Sequence, residues 1–210
     1  MQEKAKKILE LLEEKYKETA CGLEFEGDPY KLLIMAILSA QCTDARVNLV
    51  SKTLFLRFPT PNAMAEASLF EIEEEIRSVG LYRSKAKALK ECCERLVSVY
   101  DGVLPSEMSE LLTLRGVGRK VANLLRGDIF GLGGIVADTH CIRISDRLGL
   151  SKGDSPIKTE RDLERLIPLE SQSGFCHRMV LFGREICTAR SPKCDECILS
   201  NLCDYRMKNG

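Results

Sequence analysis

The chain has 210 residues, 44% hydrophobic and 30% charged, with 31 Lys and Arg against 31 Asp and Glu. That length holds one large domain or two smaller lobes with a buried core, and the balanced charge exerts no bulk pull toward nucleic acid. No apolar run reaches the roughly 20 residues of a membrane span, and the ten cysteines are read as reduced thiols of an intracellular chain rather than as a disulfide framework.

In chain order, MQEKAKKILELLEEKYKE carries charge throughout and reads as an amphipathic helix, not a signal peptide. The expected location is the cytoplasm, on the nucleoid if the source is bacterial. LLIMAIL at 32–38 stops at Ser39 and Gln41 and is read as a buried helix. Three helix starts carry proline after a capping residue: Asp28-Pro29, Thr60-Pro61 and Ser155-Pro156. Ser68 with Glu71 forms a capping box. The stripe Ala86, Leu89, Cys93, Leu96, Tyr100 places Cys93 in a helix core, and Cys21, Cys42, Cys92, Cys141 and Cys176 receive the same plain reading. No strand-like run is longer than GIVA at 134–137, so the fold class is all-α.

MSELLTLRGVGRKVANLLR, 108–126, is the most informative stretch. Leu111, Leu112 and Leu114 end one helix, Gly116 and Gly118 make a tight turn, and Val121, Leu124 and Leu125 begin the next. Such a turn aims amides and a positive helix end outward, which suits a phosphate. A dinucleotide fingerprint needs glycine where Val121 stands, and a Walker loop needs glycine at Thr113 and a hydroxyl at Lys120, so neither fits. A glycine turn between two packed helices remains the plain alternative. Arg115, Arg119, Lys120, Arg126, Arg143 and Arg147 give this region a modest basic character, matched equally by an ordinary solvated surface. Lys120 lies in the first turn of its helix beside Arg119, facing a positive helix end and a like charge, conditions that suit an amine nucleophile. Downstream, Asp138 in VADTH is first of all a helix N-cap, a position that also suits general base or electrostatic work. His140 and Arg143 follow on the same element.

Near the end, CTARSPKCDECILSNLCDYR sets Cys187, Cys194, Cys197 and Cys203 at gaps of six, two and five residues. One close pair and a compact loop fit an iron–sulfur cubane better than a zinc knuckle, with zinc or unliganded thiols as the alternatives. A cluster alone is compatible with electron transfer, redox sensing or a structural clip.

The hairpin LRGVGRK, the VADTH motif 18 residues after Lys120, the earlier SAQCTD and the tail spacing occur in collinear order from Asp28 to Cys203. Together they resemble the endonuclease III family of DNA glycosylases. The resemblance implies two helical lobes with a DNA cleft between them: a six-helix barrel at 22–132 containing the helix-hairpin-helix, and a cluster lobe from 1–21 and 133–210. Lys120 and Asp138 would face each other across the cleft. Lys120 would attack the sugar C1′ of a flipped, oxidised pyrimidine nucleotide and form a Schiff base, Asp138 would assist, and β-elimination would nick the strand. Gln41 and Leu81 would fill the hole left by the base, although a leucine at 81 also suits a core. Gly116, Gly118, Arg119, His140 and Arg143 would contact DNA, and the four tail cysteines would hold a [4Fe–4S] cluster that shapes a loop offering Lys193 and Arg190 to phosphate. The implied partner is duplex DNA with damaged pyrimidines or abasic sites, bound by a monomer and not by a membrane protein. Two positions depart from the family pattern: Arg115 stands where proline is common and Ala137 where a larger aliphatic is usual. The competing readings are a mismatch-specific adenine or thymine glycosylase of the same superfamily, whose adenine branch generally lacks the hairpin lysine, and a non-catalytic iron–sulfur DNA-binding protein.

Overall fold

In the computed structural model, which describes residues 1–209, the regular structure is helical and the described residues contain no strand. The all-α expectation stands. The helices are α1 (Gln2–Lys15), α2 (Pro29–Leu38), α3 (Asp44–Arg57), α4 (Pro61–Glu66), α5 (Leu69–Glu75), α6 (Tyr82–Tyr100), α7 (Met108–Leu111), α8 (Arg119–Asp128), α9 (Thr139–Leu148), α10 (Pro156–Glu164), α11 (Gln172–Glu185) and α12 (Asp204–Asn209). They form two compact units, one of residues Cys21–Phe130 and one of Met1–Ala20 with Gly131–Gly210.

The Cys21–Phe130 unit is built on α2. Asp28 caps it, accepting from the amides of Tyr30 at 2.8 Å and Lys31 at 3.2 Å, and Pro29 opens the first turn. Every residue from Leu32 to Leu38 is buried, so the helix is apolar on all sides and must be surrounded. α3, α6 and α8 do so, while α4 and α5 lie against α6. Thr43 and Thr60 cap α3 and α4 by accepting amides three residues on, and Ser68 with Glu71 completes the capping box of α5. In α6, Ala86, Leu89, Cys93 and Leu96 face inward at helical spacing. Burial pushes the Cys92 thiol up to about 12, the condition of an inert core thiol.

In the second unit, α1 contributes Ala5, Ile8, Leu9 and Leu12, spaced to form one apolar stripe. That stripe shares a core with Cys141, Ile144 and Leu148 of α9 and with Phe175, Met179 and Phe182 of α11. Gln172, buried at the start of α11, accepts from the Gly134 amide at 2.9 Å and donates to the Ile167 carbonyl at 3.1 Å. It thereby ties the extended segment before α9 to the core. Gly149 ends α9 at φ 71°, a left-handed C-terminal turn that favours glycine.

A cavity in the α2 core is expected to be costly. Leu33→Ala should lower stability to denaturant by about 2–5 kcal/mol, whereas Leu56→Ala, at a side chain 84% exposed, should change it by less than about 0.5 kcal/mol. Urea unfolding of both variants, followed by circular dichroism, checks the contrast.

Candidate active site and cluster loop

The hairpin is closed by successive short-range bonds. The Thr113 amide reaches the Glu110 carbonyl at 2.9 Å, Leu114 reaches Leu111 at 3.1 Å, and Val117 reaches Leu114 at 3.1 Å. Thr113 is also held from α6, where Arg95 Nε donates to its hydroxyl at 2.9 Å and the Tyr100 hydroxyl lies 3.1 Å away. Gly116 has φ 83°, and a Cβ there would stand 3.1 Å from Ile37 Cγ2 and 3.4 Å from Ala88 Cβ. Both the left-handed backbone and the close approach require glycine. Gly118, the N-cap of α8, has extended backbone, and nothing lies within 4 Å of the place a Cβ would take. It contributes no side chain to cap the helix, so the turn opens outward at the positive end of α8. Lys120 is the second residue of α8 and is exposed; Arg119 beside it is half-buried. The hairpin thus gathers Gly116, Gly118, Arg119 and Lys120 into one place.

Gln41 and Leu81 are both non-glycine residues in left-handed backbone, at φ 54° and φ 60°. Such excursions cost of order 1 kcal/mol or more and concentrate at functional positions. Gln41 is exposed, and Leu81 is 62% exposed, which removes the core reading of that leucine. The two turns are neighbours: a Cβ on Gly80 would lie 3.9 Å from the Gln41 carbonyl.

In the other unit, Asp138 caps α9, its Oδ1 accepting from the Cys141 amide at 2.7 Å. The cap occupies one carboxylate oxygen and leaves Oδ2 for another partner. The preceding segment is fixed by the Val136 amide to Cys176 Sγ at 3.2 Å and by the Asp138 amide to the Val136 carbonyl at 2.8 Å. His140 is half-buried, with Nδ1 3.2 Å from Arg143 Nη2. Arg143 is turned into its own unit, and Nη2 donates to the carbonyls of Cys187 at 2.9 Å and Gly183 at 3.3 Å.

One turn further along the same face of α9, Arg147 continues this work, a role that the linear sequence does not disclose. Its Nη1 donates to the Thr188 carbonyl at 2.7 Å and Cys187 Sγ at 3.2 Å, and Nη2 donates to the Ala189 carbonyl at 2.9 Å. The guanidinium also sits 4.9 Å from the Tyr205 ring centroid. The only sequence signal was the spacing of Arg143 and Arg147.

All four tail cysteines are unbridged and half-buried. They line one cavity, together with Ile144, Leu148, Phe182 and Ile186. Among the described residues, no group of three His, Cys, Asp or Glu side chains closes on a single metal-ion position; the four cysteines instead share the lining of that one space with apolar side chains and with Arg147, Lys193 and Arg206. Burial first, and then the neighbouring thiols of Cys187, Cys203 and Cys194, push the Cys197 thiol up, opposed by a bond with the Leu199 backbone. Iron bound as a cluster reverses this balance by taking sulfur as thiolate. The donor set and its surroundings therefore fit a [4Fe–4S] group. Lys193 is exposed on the loop, and its amide donates to the Ile186 carbonyl at 3.0 Å.

A glycine hairpin opening a helix with an exposed lysine, followed by a cysteine loop, defines a class. Residues 34–169 match the HhH-GPD superfamily of base excision DNA repair proteins, and residues 187–203 match the iron–sulfur binding domain of endonuclease III. The chain is 46% identical to the endonuclease III of Synechocystis sp., covering 96% of this chain and 92% of that one. It is 43% identical to the endonuclease III of Bacillus subtilis, covering 84% and 81%. A solved structure of endonuclease III trapped as a covalent intermediate with DNA is similar at TM-score 0.93 and 40% identity, covering 100% of this chain and 98% of that one. The chain belongs to the endonuclease III family. It is a DNA glycosylase and abasic-site lyase of base excision repair that carries a [4Fe–4S] cluster.

Removing the Arg147 side chain should loosen the cluster loop. Arg147→Ala is expected to lose iron to a chelator roughly tenfold faster than the parent protein, with Arg147→Lys between them. The decay of visible cluster absorbance and the iron content per chain measure it.

Proposed function

We propose that the family reaction runs in this chain through Lys120 and Asp138. The uncharged Lys120 amine attacks C1′ of a damaged pyrimidine nucleotide, the bond from C1′ to the base nitrogen breaks, and the base departs with its electron pair and gains a proton. Asp138 assists by taking the proton that the attacking amine sheds. The sugar opens to the Schiff base on Lys120, loss of a C2′ proton expels the 3′ phosphate, and water then frees the lysine. A side chain reaches C1′ only when the nucleotide leaves the stack. Gln41 and Leu81 occupy the hole it leaves, as a long polar side chain and an apolar wedge.

The observation that carries this reading is the exposure of Lys120 in the first turn of α8, directly after the outward-opening turn of Gly116 and Gly118. The amides of that turn, with Arg119, take a backbone phosphate. Asp138 supports it with the carboxylate oxygen that its cap does not use. Cys187, Cys194, Cys197 and Cys203 hold the cluster, which orders a loop presenting Lys193 and Arg190. His140 lies at the same end of α9 as Asp138 and serves the DNA. Arg143 contributes to the DNA surface through the loop whose carbonyls it holds. The partner is duplex DNA bearing oxidised pyrimidines or abasic sites, and the protein acts as a monomer in the cytoplasm, on the nucleoid in a bacterium.

Borohydride trapping tests the assignment. A duplex carrying one thymine glycol should give a covalent adduct on the damaged strand, and an undamaged duplex none. Lys120→Ala should abolish the adduct and lower strand cleavage by roughly a thousandfold or more while retaining DNA binding. Asp138→Asn should lower cleavage by roughly a hundredfold to ten-thousandfold. An adduct surviving in Lys120→Ala would move the nucleophile elsewhere, and equal loss of binding and cleavage would favour a binding role for the lysine.

A further inference from the structure

Lys85 is a buried cation that the reaction above does not use. It lies on α6 and is only 5% exposed. Its Nζ donates to the Leu38 carbonyl at 2.8 Å and to the Ala40 carbonyl at 2.7 Å. Burial pulls its ammonium below the ordinary lysine range. No carboxylate among the described residues forms an ion pair with it. A methionine or leucine would fill the same volume without desolvating a charge, so packing alone does not account for a lysine here.

The two carbonyls show what the lysine contributes. Leu38 is the last residue of α2, where unpaired carbonyls and the negative helix end favour a cation. Ala40 immediately precedes Gln41, the residue held at φ 54°. The backbone of the same lysine is engaged at the other turn: the Lys85 amide donates to the Leu81 carbonyl at 3.1 Å, closing the first turn of α6 behind a residue at φ 60°. One residue therefore grips the backbone entering Gln41 with its side chain and the backbone leaving Leu81 with its amide. The two turns lie side by side, since a Cβ built on Gly80 would stand 3.9 Å from the Gln41 carbonyl.

We propose that Lys85 is a positioning residue that locks the Gln41 and Leu81 turns into one rigid wedge, so that both side chains enter the duplex as a unit. This rests on the reading that Gln41 and Leu81 fill the hole left by the expelled base. Without the side-chain clamp the Gln41 turn is released toward ordinary backbone conformations before DNA arrives. The Leu81 turn keeps its main-chain bond to the residue 85 amide but loses the fixed neighbour that holds the pair in register, so the wedge must be ordered again at the cost of the reaction. The defect is therefore specific to duplex substrate, because a single strand leaves no hole to fill.

The test compares Lys85→Met, which keeps the length and removes charge and donors, with Lys85→Arg, which keeps both. A Gln41→Ala/Leu81→Ala double variant is made alongside. Each protein, loaded with its cluster, is assayed on an abasic site in a duplex and in a single strand, and on a duplex carrying the fluorescent base aminopurine opposite an abasic analogue. Lys85→Met should lower kcat on duplex by roughly tenfold to a hundredfold, lower the single-strand reaction far less, and reduce the aminopurine signal. Lys85→Arg should recover most of each. A double variant with an unchanged duplex-to-single-strand ratio would remove the hole-filling reading, and the wedge with it. A double variant that lowers the ratio, beside a Lys85→Met that does not, would overturn the Lys85 inference alone. An equal fall on duplex and single strand in Lys85→Met would mark a merely structural residue. If Lys85→Met does not fold, Lys85→Gln is read in its place with the same expected fall in ratio.

Discussion

The C-terminal part of α2 is the reference to which the glycine hairpin and the Gln41 and Leu81 turns of the Cys21–Phe130 unit are fixed. Ile37 Cγ2 lies 3.1 Å from where a Cβ on Gly116 would stand, so with the left-handed backbone at φ 83° the close approach of the hairpin to α2 favours glycine at residue 116. Leu38 and Ala40 supply the carbonyls that Lys85 Nζ holds just ahead of the Gln41 turn, and the Lys85 amide closes the first turn of α6 behind Leu81. Burying one Leu or Ile side chain is worth about 1.5–3 kcal/mol, and α2 is buried along its whole apolar length. Sliding or rotating it would disrupt several such contacts at once. Rigidity in the hairpin and in both strained turns is thus inherited from a helix whose stretch from Leu32 to Leu38 is buried throughout.

α9 plays the corresponding part in the other unit, with its two ends assigned to different work. Its first residue follows Asp138, and its stripe of Cys141, Ile144 and Leu148 is sunk in the core. On another face, Arg143 and Arg147 hold the carbonyls of residues 183 and 187–189, and Arg147 touches a cysteine sulfur. A loop of mainly polar residues around four thiols has little apolar surface of its own, so it borrows its order from α9 and from the group the thiols bind. The backbone carbonyls that the arginines satisfy would otherwise be left half-buried without partners.

What could be read in the sequence was local. Asp28, Thr60, Ser68 and Ser155 act within three or four residues, and each forms the cap its sequence announced. The hairpin glycines and the cysteine spacing are likewise short-range patterns. What could not be read was long-range: Lys85 and its carbonyls are 47 and 45 positions apart, and Arg147 meets residues about 40 positions away. Nothing in a linear pattern distinguishes a lysine that turns inward to carbonyls from one in solvent. The left-handed backbone of Gln41 and Leu81 was hidden for another reason, since neither is Gly, Asn or Asp and only the surrounding contacts impose it.

The departure at Arg115 can be judged on the same terms. The bonds that close the hairpin run between Thr113 and Glu110, Leu114 and Leu111, and Val117 and Leu114, so the turn does not draw on residue 115 for its shape. Arg115 Nε lies 3.5 Å from Glu91, with both side chains well exposed, and a pair of that kind contributes between nothing and about 1 kcal/mol. Replacing a stiff residue by arginine therefore leaves the geometry with its existing supports. What it adds is a positive charge one residue before Gly116. Such a charge acts over roughly 8–10 Å at physiological salt, and a backbone phosphate held at the turn would compete with Glu91 for it. The substitution changes the field around the turn more than its fold.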